Sequence, residues 1–478
     1  MEKLDPVSRK NMENGLITDS AVSDFTLPKT AVRESINLHF DRIGSATLRK
    51  GSTILGNALS GNILGLYEFR DSGSGTNNQI VTVNDTVLYY LSGSTWTSRR
   101  TSLTAGSKAR FTTFLDYLFM VNGTEATATW SGAAGDAFST ATNVTNAPTG
   151  KFIETFRSRV WIAGNSSFPD RLYYSSLPTK VATPAITWDT DVATGQWIDI
   201  SPSDGENITG LKRSKASLLV FKPSHIYRVY SITETEPDPK INVGTESQES
   251  IVEAKDGVYF HHRSGFYVYS DGAVQEISKP IIDIVKNITL ANFSKVAGWL
   301  ETDGDHVCWS VGSVTVGDIT YSNTVVRYTI SSKTWTLYSY PFQFLNSSNY
   351  NDGSNVYIVI GNTNGEVLKY DTGNTDNATA ISYSLIHAWD LVDGSAITEK
   401  NVTSMVFLHD GGAGTNVQYQ TDYDLESDWT RTLGQFTDTY LEVNKSLKFS
   451  MFRPRIAGSS RGEPFSYDGY EILEGTSD

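Results

Sequence analysis

The chain has 478 residues, long enough for one large repeat domain with satellites, and strand formers dominate it: 24 Tyr, 21 Phe and 10 Trp, with 39 Gly to supply turns. A formal charge of −14 argues against tight wrapping of nucleic acid, which needs Lys and Arg in excess. Cys308 is the single cysteine, which excludes an intrachain disulfide and a Cys-based zinc site.

The opening MEKLDPVSRKNMENG is polar and lacks the apolar stretch of a signal peptide, and no run approaches the roughly 18 apolar residues of a membrane helix. The expectation is synthesis in the cytoplasm, with no membrane span. Further along, the strand-like runs recur. The first unit covers residues 62–98, with NILGLYEF, QIVTVN, TVLYYLSG and STWTS as strands. The second starts near Lys108 (ARFTTFLDYLFMVNG, ATATWSG), and the third at Lys151 (KFIETFRSRVWIAG, RLYYSSL, ITWDT, QWIDI). Ile208–Ile232 is the fourth, Ser250–Ser278 the fifth, Val296–Tyr340 the sixth and Asn349–Gly373 a seventh.

Each unit has a short strand, a polar turn, a strongly hydrophobic strand, a Gly/Ser/Asn turn and an aromatic strand. Starts fall 42 to 57 residues apart, the spacing of propeller blades rather than helical solenoids. Two units carry a Tyr followed by a Trp, Tyr90 with Trp96 and Tyr328 with Trp335, a kelch-like echo in which one strand's ring packs on the outermost hairpin. Closing such sheets into a ring leaves only short, protected edges. A string of β-sandwiches would share the strand grammar but not the recurrence. The fold class expected is therefore all-β: a β-propeller of six or seven blades over 61–375, an N-terminal arm with first-blade entry over 1–60, and a C-terminal β-sandwich over 376–478. The blade number turns on whether 349–373 closes the ring or leads out of it. Gly373–Ala380 reads as a linker, and Ser278–Asn287 as one of few short helices.

Candidate chemical constellations have plainer readings. His261 and His262 are neighbours in a strand, so they point to opposite faces and cannot chelate from one; one packed and one exposed ring is expected. Asp303-Gly-Asp305-His306 and Asp371…Asp376 resemble loose calcium loops but lack the ligand spacing, and read as hairpin turns. Neither a G-x-S-x-G elbow nor a phosphate-binding G-x-x-x-x-G-K-S/T loop occurs. The expectation is no catalytic residue, no metal and no cofactor, hence no enzyme. Arg49-Lys50 and Arg453-Pro-Arg455 are basic clusters in an acidic chain, read as intersubunit ion-pair partners ahead of phosphate contacts. The polar insertions 131–149 and 233–250 are longer than a hairpin needs, which marks them as functional or mobile.

Ser35–Gly56, SINLHFDRIGSATLRKGSTILG, resembles the entry segment of the tail hub or nozzle (packaged-DNA stabilisation) proteins of short-tailed bacteriophages. The residues that carry the resemblance are Asn37, Gly44, Arg49 and Gly51; Lys50 stands where the family has Pro. Gly210–Glu234, Gly257–Asn287 and Leu441–Gly458 are similar to later family segments, in the same order. The resemblance implies a virion protein forming a homo-oligomeric, hexameric ring at the distal tail. There it would prolong the DNA channel, hold the packaged genome and open for ejection. Implied partners are the tail adaptor and portal complex, tail fibres or spikes, and genomic DNA sliding through without specific contacts. Such a nozzle needs a gate, and the acidic stretch with Glu234, Glu236, Asp238 and Glu246 is the candidate gate loop. Two other functions remain: a propeller-based glycan- or receptor-binding tail component, and a propeller glycosidase.

Overall fold

The computed structural model describes residues 2–477 except 43, 72–77, 139–143, 179–184, 190, 192–193, 234, 237–241, 317–318, 423–428, 438 and 460–463. Each repeat unit folds back on itself as an antiparallel meander. Two of the connecting turns, Leu115-Asp116 and Arg157-Ser158, have positive φ at both central residues. That is the backbone of primed hairpin turns, whose twist matches the flanking strands, reached here without the usual Asn-Gly signal. The second strands are the most apolar because both faces are covered: all five residues of Ser217–Phe221 and of Val258–His262 are buried.

Six of these meanders are separate sheets. The first has strands Ile63–Phe69, Gln79–Asn84, Val87–Ser92 and Thr95–Arg100; the second, Arg110–Phe114, Tyr117–Val121 and Ala128–Trp130. The third runs from Phe152–Phe156 to Trp197–Asp199, the fourth from Gly210–Ser214 to Thr235–Glu236, and the fifth from Val252–Glu253 to Ala273–Glu276. The last comprises Phe344–Asn351, Val356–Asn362 and Val367–Tyr370, and takes its outer strand, Ser52–Ile54, from the N-terminal segment. Between the fifth and the last, the sector is filled by Ala297–Leu300, His306–Val316, Ile319–Thr329 and Thr334–Ser339. These four strands are not a separate sheet. Thr334–Ser339 pairs in parallel with Ala31–Ile36, so the sheet runs on into the second domain.

Hydrophobic clusters lie between successive sectors all the way round, including one that joins Val359 and Val367 of the last to Ile63, Leu66 and Ile80 of the first. The architecture is thus a β-propeller of six separate blades, with a seventh sector shared with the neighbouring sheet. Residues 349–373 close the ring, and strand 52–54 fastens it.

The segment expected as an arm over 1–60 is woven into the second domain. Glu2–Lys3 and Val7–Lys10 pair with Phe465–Ser477, and Leu38–Arg42 and Ser45–Leu48 extend the same sheet, which also holds Lys400–Gly411 and Tyr440–Val443. The facing sheet is Ala31–Ile36, Ser382–His387, Phe452–Ser459, Asn416–Thr421 and Thr432–Gln435. Val32, Leu385, Phe452 and Ile456 from one sheet meet Val402, Phe407, Tyr467 and Tyr470 from the other. This sandwich therefore needs both chain ends. The short helix falls where expected, as a 3₁₀ turn Lys279–Ile281 leading into Ile282–Lys286.

Candidate functional site: a buried clamp between propeller and sandwich

Three of the four residues that carry the family resemblance meet at the boundary of the two domains. Arg49 follows strand Ser45–Leu48 and is 4% exposed. Its Nε donates to Asn37 Oδ1 at 2.8 Å, Nη1 to Asp376 Oδ1 at 2.9 Å and the Lys50 carbonyl at 3.0 Å, and Nη2 to Asp376 Oδ2 at 2.6 Å and the Ser339 carbonyl at 2.9 Å. All five guanidinium donors are used, and the group lies 3.9 Å from the Tyr340 ring centroid. Burial works against the charge, but Tyr340 and Asp376 more than offset it, so the Arg49 pKa is raised.

Asn37 sits at φ 62°, between strands Ala31–Ile36 and Leu38–Arg42. Asn is among the few residues that adopt this left-handed conformation readily. From there its Nδ2 donates to the Ser382 carbonyl of the sandwich at 2.7 Å, while Oδ1 accepts the Ser339 N–H of the propeller at 2.8 Å. Gly51 is threaded against 372–375: a Cβ there would lie 1.9 Å from the Thr375 carbonyl oxygen. Gly44 is elsewhere, at φ 89° in the turn between two sandwich strands. Gly373–Ala380, read as a linker, is instead knotted into the clamp, with Asp376 bridged to Ser52 and Thr379. Asp376, which the sequence shows only as the end of a loose calcium-like turn, is the clamp's acid, a role that nothing local distinguishes from other turn aspartates.

Beside the clamp lies a cavity of about 390 Å³ reached by Lys50, Glu301, Arg327, Tyr370 and Asp371. Glu301, Asp303 and His306 are the group among the described residues whose ligand atoms come within 4.8 Å of one another. Glu301, however, already accepts from Arg327 (3.0 and 2.9 Å) and Tyr370 (3.0 Å), and Asp303 holds His306 Nδ1 at 2.6 Å across the turn. At the propeller axis a second cavity, about 380 Å³, is lined from every sector, by Leu66, Arg110, Glu154, Lys212, Glu249, Gly298 and Ser347 among others. Burial would raise the Glu249 carboxyl, but Arg110 at 2.7 Å and Lys108 at 2.9 Å hold it down at about 2.

Other expectations are corrected. Arg49 is buried and engaged within the chain by Asp376 rather than left free for a neighbouring subunit, whereas Lys50 reaches Asp371 at 3.2 Å from an exposed position. His261 and His262 are both buried, because the strand that carries them is covered on its two faces. Tyr328 packs against Trp335 at 4.9 Å, the rings tilted by 45°, as expected, whereas Tyr90 packs on Trp130 of the next blade. Of the candidate gate residues, Glu234 and Asp238 lie outside the described residues. Glu236 belongs to the outer strand of the fourth blade, opposite Arg228, and Glu246 pairs with Arg263 at 2.7 Å.

The fold and clamp define a β-propeller protein with an interlocked sandwich. No family model and no curated protein matches the chain. Among solved structures it is similar to the computationally designed Ika8 protein (11% identity, TM-score 0.40, 66% of this chain and 99% of that one). It is also similar to the extracellular domain of the two-component-system protein BT4673 from B. thetaiotaomicron (13% identity, TM-score 0.46, 70% of this chain and 44% of that one). A second structure of that extracellular domain gives 13% identity and a TM-score of 0.45, over 82% of this chain. The chain spans less than half the length of these bacterial domains. At such scores the likenesses carry no functional argument.

Proposed function

We propose that the chain is a structural tail protein, a nozzle or hub that extends a DNA channel at the distal tail, retains the packaged genome and opens for ejection, with a homo-oligomeric ring as its working form. The observation that supports this reading is the clamp. Asn37, Arg49 and Gly51, chosen from the family resemblance alone, converge on one buried junction where propeller and sandwich meet. A wall that holds pressurised DNA needs stiffness and needs no reactive group. The negative charge favours passage of DNA without adhesion.

Mass spectrometry and immunogold labelling of purified particles test the proposal. The expected result is the chain at the tail tip in a fixed copy number, with particles lacking it losing their DNA. Its absence from particles would sink the idea.

A second reading, a glycan-binding tail component, is favoured by one surface feature. The Arg171 guanidinium lies between Phe168 (4.3 Å) and Trp197 (4.2 Å), and Phe168 is 48% exposed. Such a platform suits sugar stacking, and a glycan array with binding lost in Phe168→Ala would favour it over a purely structural role.

A further inference from the structure

Side chains from the innermost strands of successive sectors wall the axial cavity of about 380 Å³. That volume falls in the range of about 300–1,000 Å³ typical of ligand pockets. The cavity runs into a neighbouring one of about 590 Å³, with which it shares Lys212, Ile251, Gly298 and Ser347, so the two form one passage. Part of its wall is apolar. Leu64, Ile153 and Leu345 line it, together with Tyr67 and Phe111, whose rings stack at 5.9 Å.

Two opposite charges share this cavity without closing on each other. Glu154 is the third residue of strand Phe152–Phe156 and Lys212 the third of Gly210–Ser214, the innermost strands of adjacent blades. No ion pair joins them. Among the described residues Glu154 has no cationic partner at all; its Oε1 accepts the Thr155 N–H at 2.9 Å. Burial raises the Tyr67 pKa, and the nearby Glu154 charge adds to that against the pull of the Thr113 hydroxyl. Lys212 meets Glu253 at 3.5 Å, but the Glu253 side chain is 42% exposed, and a pair so open to water holds weakly. The other axial charges are matched, since Glu249 takes both Lys108 at 2.9 Å and Arg110 at 2.7 Å. Three cations and three carboxylates thus balance round the axis. What stays unmatched is one carboxylate and, loosely, one ammonium on the next blade.

We propose that the axial cavity binds a single α-amino acid with an apolar side chain, its ammonium on Glu154 and its carboxylate on Lys212. A ligand that fills the cavity drives water from Glu154, and a carboxylate that loses water without gaining a cation is costly. A sugar or other neutral polyol brings no such cation. A simple amine would answer Glu154 alone, and a simple anion Lys212 alone. A zwitterion answers both and adds no net charge to a balanced wall. The leucines, Ile153 and the stacked rings then receive its side chain. The inference goes beyond the structural role, and neither depends on the other.

Isothermal titration calorimetry of the full chain tests it, with L-leucine and two analogues that each lack one charge, 4-methylpentanoate and 3-methylbutylamine. The expected result is leucine binding with a Kd below about 1 mM, at least about tenfold tighter than either analogue. Glu154→Gln should weaken leucine by about tenfold or more and leave 4-methylpentanoate unchanged, a split that a merely structural effect would not give. Lys212→Gln should weaken leucine and leave 3-methylbutylamine unchanged. If either variant misfolds, the three ligands compared on the wild-type chain decide alone. Leucine binding no tighter than its analogues would overturn the inference. So would the absence of binding by leucine, methionine and phenylalanine up to about 10 mM. Binding of D-glucose or D-galactose that Glu154→Gln abolishes, with none of leucine, would overturn it too, since the cavity would then serve sugars. Absence of the chain from virions would remove the tail reading and leave this one standing, and failure to bind amino acids would leave the tail reading untouched.

Discussion

Arg49 and Asp376, 327 positions apart, meet through two parallel hydrogen bonds of 2.9 and 2.6 Å in a site closed to water. The propeller lies between them in sequence, so this one contact ties its entrance to its exit and both to the sandwich. A bidentate guanidinium–carboxylate pair is strong and directional, and removing either partner strands a buried charge.

Asp376→Asn or Arg49→Met is accordingly expected to destabilise the protein by about 3–5 kcal/mol in urea unfolding. Replacing both at once, Arg49→Met with Asp376→Leu, should cost clearly less than the two singles together, because neither charge is then left alone. Additive losses would show that the two residues act independently.

Gly51 and Gly44 were picked from the same resemblance but differ physically. A methyl group at Gly51 has no room beside the Thr375 carbonyl, so Gly51→Ala should cost about 3 kcal/mol or more, or abolish soluble expression. Gly44→Ala meets nothing nearer than 3.9 Å and strains only the backbone at φ 89°, which is worth about 1 kcal/mol. Melting curves of the two variants decide this, and equal losses would contradict the clamp geometry.

Acid should unfold the protein through buried histidines. Burial, reinforced by His262, holds His261 at about 3; burial and then Arg263 hold His262 at about 4; burial holds His387 at about 4. All three are depressed below the unfolded value of about 6.5, so the stability of keeping them neutral is complete above that pH. It is lost as pH falls from about 6.5 towards 3–4, by about 1.4 kcal/mol per pH unit for each ring. Melting temperature should thus be flat near neutrality and fall steadily below. His261→Phe, between Phe266 and Phe293, should flatten part of that decline.

Lys222 is fully buried, with Nζ 3.0 Å from Asp170 Oδ1, 2.8 Å from both Asp204 oxygens and 3.2 Å from the Ser201 carbonyl. The ammonium fills the place of a cation between the third and fourth blades. Lys222→Met should cost about 3 kcal/mol or more, and Asp204→Asn added to it should restore part of the loss. A neutral effect of Lys222→Met on urea unfolding would contradict this account.

Much of the architecture was legible because it is local. Short apolar strands such as Ser217–Phe221, and turns between them a few residues long, mark each meander without knowledge of its neighbours. The seventh unit could not be assigned in or out of the ring, because its outer strand comes from Ser52–Ile54, some 300 positions earlier in the chain. For the candidate site, Asn37, Arg49 and Gly51 could be singled out, but Asp376, Ser339 and Tyr340 could not, since their roles exist only where three segments meet.

The sequence by itself determined the all-β class, the repeat and a short helix within 278–287, and its resemblance singled out Asn37, Arg49 and Gly51 of the clamp. Only the tertiary structure decided that the N-terminal segment closes the propeller and completes the sandwich, and that Arg49 finds its partner within the chain. The physical reason is range. Strand periodicity and turn chemistry act over a few residues, whereas strand pairing across domains and the choice of counter-ion follow from which buried surfaces and charges satisfy one another once the whole chain is packed.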